Sequence, residues 1–226
     1  MSNIVIGIEG LVGAGKTAIC RELLNQIPNS ILLQGGNLYR AVAYSLLQSG
    51  INIEELKQNM QQVDIKSVME KLKIEFKIEN RDTVVYVDGK KIEEEDLQSA
   101  SSSLAVSEIS KVANNQNLYV FGRQVIDQLK KQFNVIVSGR DLMHIYPNLD
   151  YHFLITASLE ERIRRKGIQY KGKMLEEDIK QNIIKRDELQ EKAGFYKQYE
   201  KTMMIDVTNC KTVEDSANEV LKHIKS

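Results

Sequence analysis

This 226-residue chain has little of several things, and each scarcity closes off a class of protein. It has two cysteines, Cys20 in a predicted core helix and Cys210 in a predicted turn, so no disulfide framework is expected and both thiols should stay reduced in a cytoplasmic protein. His144, His152 and His223 are scattered and accompany no cysteine pair, which argues against a structural zinc site. There is no net charge: 31 Lys and Arg balance 31 Asp and Glu, so no global field draws the protein to nucleic acid or to an anionic membrane, and neither partner is expected. No run approaches the ~18 apolar residues of a membrane span, and Met1-Ser2-Asn3 lacks the charged start of a signal peptide. Internal repeats and disordered linkers are missing too. What remains, 42% hydrophobic and 27% charged, is the composition of a globular enzyme built as one large domain or as a core carrying an insertion.

Against that plain background one stretch stands out. Gly10-Leu11-Val12-Gly13-Ala14-Gly15-Lys16-Thr17 follows the apolar run Ile4 to Ile8 and precedes apolar residues at helical spacing from Ala18 to Gln26. Strand, glycine-rich loop and helix in that order form the context of a Walker A phosphate-binding loop. Several phosphate oxygens need several converging backbone N–H groups at the positive end of a helix, and Gly10, Gly13 and Gly15 let the backbone close in. Lys16 is placed to bridge β- and γ-phosphates, and the Thr17 hydroxyl to complete the shell of a Mg²⁺ ion whose waters Glu9 would orient. The motif therefore predicts a nucleoside triphosphate, ATP with Mg²⁺, as cofactor.

Four more buried strands are predicted at Ile31–Leu33, Asn134–Ser138, Tyr151–Thr156 and Met203–Val207, with helices between them and a closing helix over Thr212–Ile224. Loops after the carboxyl ends of such parallel strands are where open α/β sheets bind ligands. Arg40, in the helix expected from Leu38 to Leu47, suits an anionic acceptor or is simply a solvated helix arginine; spacing alone leaves both open. Residues 52–131 break the rhythm. Ile53 to Met69 reads as a polar helix, and 73–79 and 83–87 alternate with period two about Asn80-Arg81-Asp82. A short strand follows Asp88-Gly89, so a small antiparallel sheet apart from the main one is predicted. The acidic run 93–96 reads as a solvated loop, serines 99 and 101–103 open a helical stretch, and one or two helices span 104–132. Ser158, with Glu161 three residues on, has the spacing of a capping box. Between Arg162 and Lys173 stand six basic residues and no acidic one. Arg162 and Arg165 share a helix face, fit to clamp a triphosphate or else merely exposed to water. A further polar helix from Leu175 carries Arg186 and Asp187.

Taken together these residues resemble the bacterial cytidylate kinases, over nearly the whole chain. The likeness rests on the phosphate loop, Gly36-Asn37-Leu38-Tyr39-Arg40, the hairpin insert, the turn Gly139-Arg140-Asp141, the segment Ala157 to Arg162 with Arg165, and Arg186-Asp187. It implies a three-layer α/β P-loop kinase fold with a five-stranded parallel sheet, a small antiparallel β insert and a helical lid. The core would comprise 1–51 and 132–226, with the lid at about 158–194, and the inserted acceptor-binding region 52–131. By the same resemblance Arg140 and Asp141 read the acceptor base, Arg40 and Arg123 bind its phosphate, Gly36 also belongs to the acceptor site, and the lid residues Arg162, Arg165 and Arg186 join Lys16 as catalytic groups.

The chain departs from the family on the acceptor side. Gln34 and Ser138 stand where aspartates are usual, Gly35 where a small hydroxyl residue is usual, and Gln190 and Ala193 where a sugar-contacting aspartate and arginine would lie. An arginine expected near Ser101 is also missing. The expected activity is phosphoryl transfer from ATP to a small phosphorylated acceptor, a pyrimidine nucleoside monophosphate of the CMP or dCMP kind, by a monomer whose partners are small nucleotides. The alternatives are a P-loop kinase for another metabolite and a catalytically weak nucleotide-binding regulator.

Overall fold

A β-branched run with no polar alternation belongs in a strand covered on both faces. β1 (Val5–Gly10) is that strand, buried along its whole length. In the computed structural model, which describes residues 2–37, 40, 41, 44, 70, 71, 73–93, 116–171 and 173–224, it forms the middle of one sheet. Beside it run β6 (Asn134–Ser138) and β7 (Tyr151–Thr156), flanked by β2 (Ser30–Gln34) and β8 (Thr202–Asp206). All neighbours in the order β2-β6-β1-β7-β8 are parallel, the five-stranded arrangement that the sequence predicts.

Alternate side chains divide the core between the two faces. On one face Ile6, Ile8, Leu32, Ile136, Phe153 and Ile155 pack on α1 (Lys16–Gln26) and, through Ala217 and Val220, on the last helix, Val213–Leu221. On the other, Val5, Ile31, Leu33, Val135 and Val137 meet α2 (Gln116–Lys130) and the single turn α3 (Leu142–Ile145). The result is three layers. A helical hairpin, α4 (Leu159–Tyr170) and α5 (Glu176–Lys192), stands over the carboxyl end of β1, and α6 is the Val213–Leu221 helix. Among the described residues no helix is long and apolar enough to cross a membrane.

The antiparallel insert corrects one expectation. β3 (Ile74–Glu79) and β4 (Asp82–Val87) pair across a two-residue turn with Asn80 at φ 49° and Arg81 at φ 65°, the left-handed backbone of a tight hairpin. The short β5 (Lys90–Lys91) adds to β4. The small sheet is not apart: β4 joins β2 in parallel at Leu32 and Asp82, which extends the main sheet to eight strands. Arg81 explains the join. Its guanidinium donates to Ile27 O at 3.1 Å, Ser30 Oγ at 2.7 Å and Leu24 O, and its Nε to Ser30 O at 3.0 Å. One side chain thus satisfies carbonyls that the end of α1 leaves free and roots the hairpin in the core.

The helix predicted over 53–69, the serines at 99 and 101–103, the residues near 104–115 and most of the acidic run lie outside the described residues, as does most of the 38–47 helix. Ser158 caps α4 by accepting from Glu161 N at 3.2 Å, but Glu161 does not return the bond. Its carboxylate goes to Arg164 and Arg165 instead, which holds it down at about 2 through the hydrogen bond from Arg164 above all.

Candidate active site

The phosphate loop is shaped by close approach. A Cβ on Gly10 would lie 2.3 Å from Ile155 O, so only glycine lets the chain leave β1 against β7. Gly15 sits at φ 97° as the N-cap of α1 and provides no side-chain cap. The first amides of that helix are therefore left for an anion. Thr17 is exposed beside them, and Lys16 folds back so that its Nζ donates to Gly10 O at 2.7 Å and Leu11 O at 3.1 Å.

The lid hairpin is seated on this loop. Val12 packs in a small core with Ile163, Ile179 and Ile183. Arg162, 7% exposed, donates from Nη1 to Val12 O at 3.2 Å and pairs with Asp187, while its buried Nε has no partner among the described residues. Asp187 Oδ1 in turn accepts Val12 N–H at 3.1 Å. Arg165 donates to Ala14 O at 2.9 Å and Val207 O at 2.8 Å. The two arginines expected to close over a transferring group are thus gripping the loop's carbonyls. Asp187 and Tyr196, whose hydroxyl reaches Asp187 and Gln190, had no assigned part; Asp187 is visible beside Arg186, whereas nothing in the sequence marks Tyr196.

Between loop and strand ends lies an excess of positive charge. Burial pushes Lys16 down to about 7, with the charge of Arg140 next and Arg186 adding to it. Arg140 is itself lowered, first by burial and then by Arg186 and Arg40, against the opposing Tyr196 and Glu9. Arg186 also adds to the lowering of Lys166 that burial begins. Arg140 and Arg186 form no hydrogen bond or ion pair among the described residues. Burial first, and neighbouring positive charge second, disfavour the charged forms of Lys16 and Arg140, and a bound anion would offset both.

Other predicted groups are placed differently. Arg123 is not with this cluster: its Nε donates to Ile145 O at 3.1 Å and its Nη2 to His144 O at 3.5 Å, so it caps α3, because freed carbonyls at a helix end attract a guanidinium as phosphate does. Glu9 points away from Thr17, into the α2/α3 side of the sheet, where it accepts Leu142 N–H at 2.6 Å and meets His152 Nε2 at 3.2 Å. Asp141 accepts from the Tyr119 hydroxyl and pairs with His144. Gly36 lies beside Arg40, whose Nη1 donates to Asn37 Oδ1 at 3.3 Å.

Three of the departures on the acceptor side, Gln34, Ser138 and Gln190, are used internally. Gln34 Nε2 donates to Asp82 Oδ2 of the hairpin at 2.9 Å. Ser138 is hydrogen-bonded to Cys20, whose thiol burial pushes up to about 12. Gln190, 6% exposed, takes the Tyr196 hydroxyl, and Ala193 is the C-cap of α5. As for metal, the described residues include no group of three or more His, Cys, Asp or Glu able to hold an ion. The exposed Thr17 hydroxyl beside an anion-seeking helix end fits a Mg²⁺ carried in on phosphate oxygens and water.

A phosphate-binding loop with a second set of guanidinium groups near its lysine fits a P-loop kinase of phosphorylated acceptors, the nucleoside-monophosphate kinase class. Comparison with known proteins narrows this. The family model "Cytidylate kinase" matches residues 6–226, and the chain belongs to that family. It is 30% identical to the cytidylate kinase of Clostridioides difficile (strain 630), over 99% of both chains. With the cytidylate kinase of Alkaliphilus oremlandii (strain OhILAs) it shares 29% identity over 100% of this chain and 99% of that one. The cytidylate kinase of Caldicellulosiruptor bescii is 29% identical over 98% of this chain and 96% of its own.

Proposed function

We propose that the protein transfers the γ-phosphoryl group of ATP, with Mg²⁺, to a pyrimidine nucleoside monophosphate of the CMP or dCMP kind. The observation that carries this reading is the phosphate loop opening α1 with Lys16 folded over it, and Arg140 and Arg186, neither of them hydrogen-bonded or ion-paired among the described residues, near enough for their charges to add to the lowering of Lys16 that burial begins. The donor's phosphates enter the amides of residues 13–17, and Lys16 turns from its carbonyl partners to their oxygens. An acceptor phosphate oxygen, already ionised, attacks the γ-phosphorus in line; the new O–P bond forms as the bond to the β-bridging oxygen breaks, and ADP leaves. No general base is required. Arg186 and Lys16 stabilise charge spread over the transferred group, while Arg162 and Arg165 hold the loop and lid in register. Thr17 would help hold Mg²⁺ at the phosphates, and the ion would supply neutralisation of the developing charge. Every group comes from one chain, so a monomer suffices.

The Arg140–Asp141 turn would read the base and Arg40 the acceptor phosphate. Because Gln34, Ser138 and Gln190 are tied to Asp82, Cys20 and Tyr196, acceptor preference is the property most open to change. The test is ADP release from ATP·Mg²⁺ with CMP, dCMP, UMP, AMP, GMP, shikimate and gluconate as acceptors. Release fastest with CMP or dCMP supports the proposal. Faster release with a non-nucleotide supports the alternative of another metabolite, and tight ATP binding with no acceptor-dependent release supports a regulatory binder.

A further inference from the structure

Glu9 is the residue before the glycine that opens the phosphate loop, and it is a carboxyl group only 5% exposed in the central strand. A buried polar group persists where it is hydrogen-bonded. Its Oε1 accepts Leu142 N–H at 2.6 Å, and Leu142 directly follows Gly139-Arg140-Asp141. The same oxygen faces Nε2 of His152, which is 1% exposed. His152 Nδ1 lies 2.8 Å from Thr202 Oγ1, and that oxygen accepts Tyr199 N–H at 2.8 Å. A Thr202 hydroxyl donating to Nδ1 leaves Nε2–H to donate to Glu9, so the chain of bonds from β8 through β7 to β1 is complete.

What this chain holds is a turn that does not hold itself. Asp141 has φ 56°, a left-handed conformation unfavourable for a residue with a Cβ. Gly139 is pressed so close to Leu142 that a Cβ there would lie 2.9 Å from Leu142 Cδ2. Strand β1 ties the turn at both ends, by Gly139 N–H to Ile8 O at 3.2 Å and by Leu142 N–H to Glu9.

We infer that Glu9 is a positioning residue for the acceptor: it aims the Arg140–Asp141 turn from the strand that launches the donor loop, so both substrates share one rigid reference. This rests on the reading above that the turn faces the acceptor. It replaces the expected part of Glu9 in orienting water on Mg²⁺. Glu9→Gln keeps Oε1 for both Leu142 N–H and His152 Nε2–H but removes its negative charge, so both bonds lose their charge assistance and the turn loosens without emptying the site.

The measurement is steady-state kinetics of the whole chain with whichever acceptor of the panel the unaltered protein phosphorylates fastest. This choice separates failure of the pyrimidine assignment from failure of the inference. Glu9→Gln should raise acceptor KM about fivefold or more, while KM for ATP and the half-saturating Mg²⁺ concentration each stay within about twofold. An unchanged acceptor KM overturns the inference, as does a shift in Mg²⁺ requirement as large as the shift in acceptor KM. If Glu9→Gln does not fold, Thr202→Val decides: it removes the hydroxyl that sets His152 and should raise acceptor KM about twofold with ATP KM unmoved, and no change in acceptor KM overturns the inference.

Discussion

The donor and acceptor halves of the site are built by different means. The proposed donor loop is eight consecutive residues whose backbone would do the binding, so its geometry follows from local sequence: Gly10 for the approach to β7, Gly15 to open α1, Lys16 to fold over the top. The acceptor side is assembled from ends of strands far apart in the chain, with Arg140 after β6, Arg40 after β2 and Arg186 on α5. Each such side chain can be taken up by a neighbour, and several are. A backbone site tolerates little change, whereas a side-chain site can be rewired one hydrogen bond at a time.

That contrast predicts where damage is greatest. Lys16→Ala should lower kcat by about 10³-fold or more, since the group that crosses from loop to phosphate is lost where water is excluded. The thermal unfolding midpoint should change little, because Lys16 makes only two carbonyl hydrogen bonds. Near-full turnover would remove the donor loop from the chemistry.

On the acceptor side two arginines that look alike in sequence should separate. Arg140→Ala should lower kcat/KM for the acceptor by about tenfold to a hundredfold, as expected for a charged hydrogen bond made to substrate, with ATP KM nearly unchanged. Arg123→Ala should leave both KM values alone and cost about 1 kcal/mol of stability in urea unfolding, the worth of capping α3. A large acceptor effect from Arg123→Ala would show that the cap releases in the working complex.

This pair also shows what was legible. The five parallel strands and the phosphate loop could be read because burial, β-branching and glycine spacing are local properties; the strands at 134–138 and 151–156 fall where predicted. The destination of a long cationic side chain is not local. A helix arginine such as Arg123 seeks whatever oxygens lie within reach, and carbonyls at a helix end attract it as phosphates would. Glu9 could be placed at the end of the first strand, but its partner Leu142 lies 133 residues on and is brought near by the turn after β6. Likewise the loss of an aspartate at Gln34 was plain, whereas its link to Asp82 depends on Arg81 docking the hairpin into the main sheet.

Lys16 should also make donor binding pH-dependent. Burial, then Arg140, brings its pKa from the ordinary 10.5 to about 7 in the free protein. The depressed pKa means the folded chain releases this proton before the unfolded chain does. Burial of the charged form therefore weakens the fold in full below about pH 7, and this penalty is relieved as pH rises from about 7 to 10.5, where both states are neutral. A bound triphosphate recharges Lys16, so ATP binding should take up a proton above pH 7 and almost none well below it. Calorimetry in buffers of different ionisation enthalpy reads this directly, and Kd should weaken by up to about tenfold per pH unit on the alkaline side. Uptake that persists in Lys16→Met would assign it elsewhere.

The smallest expected effect tests the seam between the halves. Asp187 Oδ1 occupies Val12 N–H, an amide of the phosphate loop, while its other oxygen pairs with Arg162 and the Tyr196 hydroxyl lies alongside. A carboxylate so close to a site for polyphosphate repels the ligand and competes for the amide, yet it also balances a buried guanidinium. Asp187→Asn removes the repulsion and keeps an oxygen for Val12 N–H, so ATP should bind about threefold more tightly, a gain of roughly 0.6 kcal/mol that survives only partly at high salt. Tighter binding would mark the lid carboxylate as a brake on donor entry that the acceptor side has no counterpart for. Weaker binding would show instead that Arg162 must stay paired for the loop to keep its shape, and would make the lid hairpin part of the donor site itself.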